Sequence, residues 1–368
     1  MSSATATLST QSKSIPTLER ILIVRLSAMG DIIHALPAVT ALRNTYPDAT
    51  IGWLIEERWS ELLCTLRTPR SGPRSVERPL VDRVHAVDTK SWRSSPLSAN
   101  TIGHILVGVS QLRAPRYEVA IDLQGAVRSA IMARLSKADV VYGEAQPREN
   151  AASIWYSRQV IVNGTHVIEQ NMSMVEAVVR TYLDLPAVEF PRDQTAEAHI
   201  DQLLHSANAS TFAILNPGAG WGAKQWPPER YGEVAMALAT QGVMSFINFG
   251  PGEETLAHAA ESSSRGTAKT VCCSIAELIA LTRRASLFIG GDTGPMHLAA
   301  ALRIPVVGIF GPTNPARNGP FRTPSIILRS PESVTTHRRH TQPDEGLLAI
   351  QPAQVVEAAL ELLENSRG

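Results

Sequence analysis

Short, nearly continuous apolar runs alternate along this chain with longer segments of mixed polarity. Such runs are typical of strands that are buried on both faces of a parallel sheet. They predict strands at 21–26, 50–55, 117–122, 211–215, 244–249, 287–289 and 305–310. The mixed segments between them predict helices, and strands that alternate with helices indicate an α/β fold with a parallel sheet covered on both faces.

Chain length predicts more than one folding unit. The chain has 368 residues and is 44% hydrophobic, whereas a single hydrophobic core stops growing at about 250–300 residues. The stretch 185–193 contains two prolines and has no regular period, so we place a linker there. The predicted division is a disordered Ser/Thr-rich tail at 1–17, domains at 18–187 and 188–350, and a helix at 351–368.

Composition excludes several classes of protein. Lys plus Arg and Asp plus Glu both number 34, so no electrostatic footprint for nucleic acid is present. Cys64, Cys272 and Cys273 show neither zinc-ligand spacing nor a disulfide framework, which predicts a reducing compartment and buried, apolar roles for these side chains. The sequence has no apolar run of about 18 residues, so no transmembrane helix is expected.

The loop Gly290–Pro295 is the most informative polar segment. It follows a predicted strand and precedes a predicted helix, and ligands of open parallel sheets bind beyond the carboxyl ends of the strands. The amides of Thr293 and Gly294 at a helix N-terminus favour a diphosphate, and His297 lies one turn further on. The alternative is a simple turn in which Asp292 caps the helix.

Two further loops in the second half of the chain also follow the carboxyl ends of predicted strands. Lys224 follows the turn 216–220, where the backbone is open to a phosphate, and can add a point charge. Glu254 follows the Gly250–Gly252 turn and can accept hydrogen bonds from ribose hydroxyls. The alternatives are a solvated loop lysine and an acid favoured by a helix dipole.

Asp31 is the candidate general base. It lies in the first Gly-containing loop, and a positioned carboxylate can remove the proton that makes an acceptor hydroxyl a poor nucleophile. The alternative is a helix-capping Asp. The sequence carries no His/Cys metal cluster and no Walker phosphate loop, and no G-x-G-x-x-G follows the first strand, which weakens a dinucleotide-dehydrogenase interpretation.

Several of these segments together resemble the ADP-heptose glycosyltransferase family, glycosyltransferase family 9, from about Arg20 to the C-terminus. The matching motifs occur in the family's order: Arg25–Asp31 with Pro37, Asp122–Gly125 with Arg128-Ser129, Lys224–Pro227, Gly250 with Glu254, Gly291–Gly294 with His297, and Gly311–Thr313. The resemblance implies a GT-B type fold, with two Rossmann-like domains facing across a cleft. The N-terminal domain would bind the acceptor and the C-terminal domain the donor.

The resemblance also implies a reaction. Heptose would move from ADP-L-glycero-D-manno-heptose to a Kdo residue of the lipopolysaccharide inner core, with inversion and with no essential metal or other cofactor. Asp31 would deprotonate the acceptor, while charge on the leaving diphosphate would be stabilised by cationic and amide groups. The implied donor-binding residues are Lys224, Glu254, Asp292, Thr293, Gly294 and His297.

The acceptor side is the least family-like part of the sequence. Lys90, Trp92, Arg93 and Arg148 resemble acceptor-binding segments, and a Kdo-lipid A acceptor implies peripheral contact with the cytoplasmic face of the inner membrane. The segment 89–95 is less basic than in the family, and an Arg-rich insertion occupies 66–80. Alternatives that stay open are surface roles for the charges and a core role for Trp92. Two alternatives stay open for the function of the whole chain. It is a heptosyltransferase acting on heptose II or III of the core or on a protein, or it is a non-catalytic nucleotide-binding protein.

Overall fold

A computed structural model describes residues 15–94, 98–336 and 342–366 and contains two six-stranded sheets. Part of the predicted tail, residues 1–14, lies outside the described residues. The strands of the first sheet are β1 Arg20–Val24, β2 Thr50–Glu56, β3 Arg83–Val87, β4 Val119–Asp122, β5 Val140–Glu144 and β6 Arg158–Val160. Those of the second are β7 Phe212–Asn216, β8 Met244–Phe249, β9 Ala268–Cys272, β10 Leu287–Gly291, β11 Val306–Phe310 and β12 Ser325–Arg329.

Helices connect the strands of both sheets. The helices of the N-terminal unit are α1 Met29–Thr45, α2 Thr89–Ser94, α3 Ala99–Arg113, α4 Val127–Leu135 and α5 Val167–Val179. Those of the C-terminal unit are α6 Gln194–Ser206, α7 Pro228–Thr240, α8 Glu254–Ser263, α9 Ile275–Arg284, α10 Gly294–Ala301, α11 Pro315–Asn318, α12 Glu345–Ala349 and α13 Pro352–Asn365. Short 3-10 turns lie at Glu57–Leu62, Asn150–Trp155 and Gly222–Lys224.

Both sheets have the same strand order. The first runs β3-β2-β1-β4-β5-β6 and the second β12-β11-β10-β7-β8-β9, and all neighbouring strands are parallel. Counted within its own unit, each order is that of the Rossmann fold, in which ligands bind where the strand order reverses. The reversal lies between β1 and β4 and between β7 and β10. The predicted α/β class and the pair of Rossmann-like units are therefore confirmed.

Burial explains the continuous apolar runs of the sequence. Ile21 and Ile23 of β1 pack into a core cluster on one face of the first sheet, and Leu22 and Val24 pack into another cluster on the opposite face. The second sheet is likewise covered on both faces. A strand with both faces buried has no polar alternation, which is the signal that predicted these strands.

The segment between the two units has no regular secondary structure. Residues 180–193 join α5, which packs on α1, to α6, which packs on α9. Helix α13 packs on α7 and on β10 to β12, so it covers the second sheet. The linker lies where the sequence predicted it, while the domain limits at 187 and 350 stay predictions.

Two local expectations from the sequence were wrong: a first-turn or kink position for Pro37, and a buried position for Cys272. Pro37 lies well inside α1; it provides no N–H to the preceding turn, and there the Asn171 side chain donates to the His34 carbonyl at 3.0 Å. Cys272 is exposed rather than buried, because β9 is an edge strand. The 66–80 insertion is largely exposed, as its Pro, Gly and Arg content predicts. Arg78 is the exception: it is buried, and its guanidinium donates to the backbone carbonyls of Pro69, Gly72, Pro73 and Val81.

Across the described ranges, none of the helices combines the length and the apolar character needed to cross a membrane.

Candidate active site

The N-termini of α1 and α10 meet where the two units face each other. Each helix follows the strand at which its sheet reverses order. A Cβ atom on Gly30 would lie 2.3 Å from Cδ2 of His297, and one on Gly294 would lie 2.7 Å from Sδ of Met29. Glycine is therefore required at both positions for this approach of the units, and the two predicted site loops lie beside each other.

Asp31 lies in the first turn of α1, at the entrance to this junction. Its Oδ2 accepts a hydrogen bond from the Ala28 N–H at 3.0 Å, and its Oδ1 lies 2.9 Å from an Arg25 guanidinium nitrogen. The Asp31 side chain is 37% exposed. Asp31 thus helps to cap α1 while its carboxylate stays partly exposed, so the capping and catalytic interpretations are compatible.

A buried network holds Arg25 and the loop after β1 in place. The Arg25 guanidinium donates to the Leu123 carbonyl, and Gln124 Oε1 accepts from the Leu26 N–H at 2.7 Å. Leu123 and Gln124 belong to the Asp122–Gly125 motif. The motif after β4 therefore supports the loop after β1 that leads to Asp31, a role that the sequence did not specify.

Asp122 anchors that motif from within the core. Its Oδ1 accepts from the Gln124 N–H at 2.9 Å, and its Oδ2 accepts from the Ser129 hydroxyl at 2.8 Å and the Tyr156 hydroxyl at 2.9 Å. Burial raises the pKa of Asp122, although these hydrogen bonds oppose the shift. Burial and the neighbouring Asp122 carboxylate raise the pKa of Tyr156 as well. The phenol therefore stays protonated and donates.

On the C-terminal side, Asp292 joins Lys224 and His297 into one cluster. Lys224 Nζ lies 2.5 Å from Asp292 Oδ2, and His297 Nε2 lies 3.1 Å from Asp292 Oδ1. Burial opposes ionisation of Asp292, but the hydrogen bonds and charges of His297 and Lys224 outweigh it and hold the pKa of Asp292 well below its ordinary value. Asp292 is therefore an ionised carboxylate at neutral pH.

The ammonium group of Lys224 has a defined position. It lies 4.3 Å from the ring centroid of Trp221, within the range of a cation–π contact, and its side chain is 11% exposed. Lys224 is thus not a solvated loop lysine. Its charge is held at the edge of β7 and β10, where a diphosphate would meet it.

Helix α10 presents its N-terminus to the same place. Thr293 is the N-cap residue, with its hydroxyl directed to the Gly291 carbonyl at 3.3 Å. The first N–H groups of a helix have no acceptor within the helix, and they carry the positive end of its dipole. Asp292 precedes the cap and pairs with Lys224, so the cap interpretation of Asp292 was wrong.

Glu254 and its neighbour Glu253 differ in their surroundings. Glu254 is exposed and begins α8, where its Oε1 accepts from the Gly252 N–H at 3.1 Å. Glu253 is partly buried, accepts from the Gly250 N–H at 2.9 Å, and lies where a Cβ on Gly218 would clash at 2.2 Å. Burial raises the pKa of Glu253. The sequence offered no signal that separates these adjacent acids.

His34 was not foreseen by sequence reasoning. It lies in α1, is buried, and contacts His297 through Nε2 and Nδ1 at 3.0 Å. The His166 ring lies 5.3 Å away between centroids, and its Nε2 is 3.0 Å from the Gly319 carbonyl. His34 thus joins the N-terminal unit to the Asp292 cluster.

The family model for glycosyltransferase family 9 (heptosyltransferase) matches residues 108–348. The match covers more than half of the chain and includes both loops of the Asp292 cluster. The chain belongs to glycosyltransferase family 9.

Curated relatives include two lipopolysaccharide heptosyltransferases, and a solved structure has the same fold. Lipopolysaccharide heptosyltransferase 1 of Pseudomonas aeruginosa is 28% identical, with 84% of each chain covered. Lipopolysaccharide heptosyltransferase 3 of Escherichia coli is 26% identical, with 92% of this chain and 97% of the relative covered. The structure of E. coli heptosyltransferase WaaC with ADP superposes with a TM-score of 0.75 at 24% identity, over 93% of this chain and 99% of the other.

The predicted acceptor residues of this family 9 glycosyltransferase lie after β3 and β5. Lys90 is exposed in α2, and Trp92 is partly buried against the core below it. Arg93 belongs to α2, but its side chain lies outside what the structure describes. Thr89 anchors α2, because its N–H donates to Glu56 at 3.2 Å and its hydroxyl to the same carboxylate.

Arg148 lies beside the motif after β4. It is exposed, and its backbone N would be 3.0 Å from a Cβ on Gly125, whose positive φ of 65° favours glycine. The Glu149 N–H donates to the Gly125 carbonyl at 2.9 Å. Lys90, Trp92 and Arg148 thus follow carboxyl ends of the first sheet, and contact with an acceptor stays a prediction.

Among the residues that the structure describes, no group of three or more His, Cys, Asp and Glu side chains is arranged to hold a metal ion.

Proposed function

We propose that this glycosyltransferase moves heptose from ADP-L-glycero-D-manno-heptose to a Kdo residue of the lipopolysaccharide inner core. The observation that carries the proposal is the placement of the Asp31 carboxylate beside the junction of α1 and α10, with Lys224 on the opposite unit. Family membership supports a heptosyl donor. Solved structures of E. coli WaaC with ADP and with ADP-2-deoxy-2-fluoro heptose support an adenine nucleotide as its carrier.

Asp31 is the general base in this proposal. The acceptor hydroxyl gives its proton to Asp31 as its oxygen attacks the anomeric carbon, and the bond from that carbon to the ADP oxygen breaks on the opposite face. Arg25 orients the carboxylate through a charge-assisted contact at 2.9 Å. The carboxylate is accessible enough for a hydroxyl to approach, since the side chain is 37% exposed.

Lys224 and the N-terminus of α10 stabilise the leaving diphosphate. Negative charge grows on ADP as the glycosidic bond breaks, and preorganised donors aimed at that charge lower the barrier. The amides of Thr293 and Gly294 contribute through hydrogen bonds and the helix dipole. Asp292 and His297 hold Lys224 and the loop in place, and Glu254, with Glu253 beside it, is assigned to the ribose.

The acceptor is the finer part of the proposal. Lys90, Trp92, Arg93 and Arg148 supply cations and an aromatic face for an anionic sugar, and a lipid A acceptor places the enzyme at the cytoplasmic face of the inner membrane. A second candidate acceptor is a heptose of the core. It is supported by the relative named lipopolysaccharide heptosyltransferase 3, whose identity of 26% is close to the 28% of the relative named 1.

A transfer assay tests these assignments. Purified enzyme is incubated with ADP-heptose and either Kdo-lipid A or a core that already carries heptose, with and without EDTA, and products are measured by mass spectrometry. We expect one added heptose on Kdo-lipid A and undiminished turnover in EDTA. Transfer only to the heptose-bearing core would replace the first acceptor by the second, and hydrolysis or binding without transfer to either would contradict the proposed function.

A further inference from the structure

Helix α3 carries an unusual exposed apolar surface. Ile102 is 45% exposed, Leu106 is 65% exposed and Val107 is 56% exposed. Their spacing at i, i+4 and i+5 places them on the part of the helix surface opposite its buried residues, Thr101 and Leu112. We call Ile102, Leu106 and Val107 the α3 apolar face. Contiguous exposed apolar surface of this kind marks an interaction site.

The α3 apolar face is separate from the side by which α3 joins the fold. Thr101 and Leu112 are the buried residues of the helix, and α3 packs on β3 and α4. Apolar side chains of an ordinary surface helix point to the core, with polar ones outward. In α3 the arrangement leaves Leu106 largely in water, so folding of the described chain does not account for it.

Charge around the helix favours an anionic partner. Between Asp88 and Glu118 the sequence contains no acidic residue and four basic ones, Lys90, Arg93, Arg113 and Arg116. Lys90 and Arg116 are exposed, and neither forms an ion pair within the described residues. Apolar side chains flanked by unpaired cations are the signature of a helix that lies in the headgroup region of an anionic bilayer.

The position of α3 relates this surface to the cleft. A crossover helix between parallel strands runs from the carboxyl edge of the sheet back to the amino edge, so the first turns of α3 lie at the edge that carries Asp31. Ile102 and Leu106 belong to these turns, and α2 with Lys90 precedes them. A bilayer in contact with this face would therefore lie beside the predicted acceptor segment.

We propose that the α3 apolar face inserts into the headgroup region of an anionic phospholipid bilayer and holds the N-terminal unit against it. This membrane contact rests on the proposed function, because the lipid-linked acceptor of that function lies in a bilayer. Ile102, Leu106 and Val107 enter the interface, and Arg116 contacts lipid phosphates. The enzyme then meets its acceptor at a surface rather than from solution.

Flotation of the full chain with lipid vesicles tests the contact itself. Vesicles of phosphatidylethanolamine and phosphatidylglycerol are compared with vesicles of phosphatidylcholine alone. We expect the enzyme to float with the anionic vesicles and less with the neutral ones. Leu106→Asp should weaken partitioning roughly tenfold or more, because burial of a leucine side chain is lost and a like charge faces the lipid.

Leu66→Asp is the matched control. Leu66 is 70% exposed and lies in the N-terminal unit, beyond the 3-10 turn that follows β2. The Leu66→Asp protein should float like the unchanged protein. The thermal melts of Leu66→Asp and Leu106→Asp should both match that of the unchanged protein. Equal flotation of Leu106→Asp and the unchanged protein would overturn the proposal. So would a dimer in gel filtration that Leu106→Asp dissociates without any change in vesicle binding, since the face would then join two copies.

Activity measurements separate this inference from the proposed function. With Kdo-lipid A in anionic vesicles, Leu106→Asp should raise the KM for the acceptor, while turnover on a water-soluble Kdo acceptor should not change. If the unchanged enzyme transfers to neither acceptor but still floats, the proposed function fails and the membrane contact stands. If transfer from vesicles is equal in both proteins, the α3 apolar face has no role in it and the inference fails alone.

Discussion

His34 Nε2 and His297 Nδ1 lie 3.0 Å apart and join the two units of the molecule. A neutral imidazole has one N–H, so the ring that donates in this pair must accept at its other nitrogen or leave it free. When His34 donates, His297 carries its proton on Nε2 and donates to Asp292, whose Oδ1 is 3.1 Å away. The pair therefore connects α1, which holds Asp31, to the cluster that positions Lys224.

This contact predicts a loss of stability in acid. Burial, with the nearby His297 and His166, lowers the pKa of His34 well below its ordinary value of 6.5. The unfolded chain then binds a proton that the folded chain does not bind, so this stability is present above pH 6.5 and is lost as the pH falls below it. The slope is about 1.4 kcal/mol per pH unit for one histidine.

His34→Gln should reduce that slope. Thermal or denaturant unfolding at pH 7 and at pH 5.5 should show a loss for the unchanged protein that exceeds the loss for His34→Gln by about 1 kcal/mol. His205→Gln, at an exposed position in α6, is the control and should keep the unchanged protein's slope. Identical acid losses in all three proteins would show that His34 is not held neutral by its surroundings.

Replacement of the candidate base should remove turnover and leave the fold intact. Asp31→Asn retains an oxygen that can accept from the Ala28 N–H, but it cannot take the acceptor proton, so kcat should fall about 10²–10⁴-fold. ADP affinity should not change, because Asp31 lies on the N-terminal unit and Lys224 on the C-terminal one. Both are measured by steady-state kinetics and calorimetry.

Asp193→Asn provides the comparison for Asp31→Asn. Asp193 also caps a helix, since its Oδ1 accepts from the Thr195 and Ala196 N–H groups, but it lies in the linker before α6. The turnover of the Asp193→Asn enzyme should stay near that of the unchanged enzyme. A folded Asp31→Asn enzyme with similar turnover would leave Asp31 only its capping role.

The proposed role of the Asp292 cluster in donor binding predicts a loss of nucleotide affinity when Lys224 is replaced. Lys224→Ala removes the ammonium that is held by Asp292 and Trp221. Hydrogen bonds to charged groups contribute about 1.5–3 kcal/mol, so the Kd for ADP should rise roughly 10- to 150-fold in calorimetry. Asp292→Asn should raise it as well, since Lys224 loses its partner, and UDP should bind the unchanged enzyme much more weakly than ADP. Unaltered ADP affinity in Lys224→Ala would place the diphosphate elsewhere.

Strands and loop positions could be predicted from the sequence because both sheets are buried on two faces. The run at 21–26 is broken only by Arg25 and the run at 305–310 has no charged residue, and their carboxyl ends are fixed by the parallel arrangement. The apolar runs alone therefore predicted that Asp31 and Asp292 lie after the carboxyl ends of strands. Strands β5, β6, β9 and β12 were not predicted. β6, β9 and β12 are edge strands, and β5, β6 and β9 contain partly exposed or exposed residues, so none of these three carries a continuous buried apolar signal.

Contacts between segments that are distant in the chain could not be predicted from the sequence. His34 follows a helical pattern in which a buried histidine is indistinguishable from a core residue, and only its neighbour His297, 263 positions away, gives it a role. The choice between Glu253 and Glu254 depends on a one-residue difference in where α8 begins. The Lys224–Asp292 pair likewise required the order in which β7 and β10 lie together.

Acceptor recognition gives the last prediction. Lys90 and Arg148 are exposed and follow the carboxyl ends of β3 and β5, where an anionic sugar would meet them. Lys90→Ala and Arg148→Ala should each raise the KM for Kdo-lipid A several-fold, since an exposed ion pair contributes about 0.2–1 kcal/mol and a better-oriented one more. The Kd for ADP should not change, because both residues lie on the unit opposite Lys224.

Lys137→Ala separates acceptor contact from a general effect of charge. Lys137 is also exposed on the N-terminal unit, but it precedes β5 and therefore lies at the amino edge of the sheet, away from the cleft. Lys137→Ala removes the same charge as Lys90→Ala, so a long-range attraction of the anionic acceptor would be weakened equally in these two variants. We expect a raised KM in Lys90→Ala and Arg148→Ala only. Equal KM values in all three variants would assign Lys90 and Arg148 to the solvated surface and move the search for the acceptor site to the Arg67–Arg83 segment.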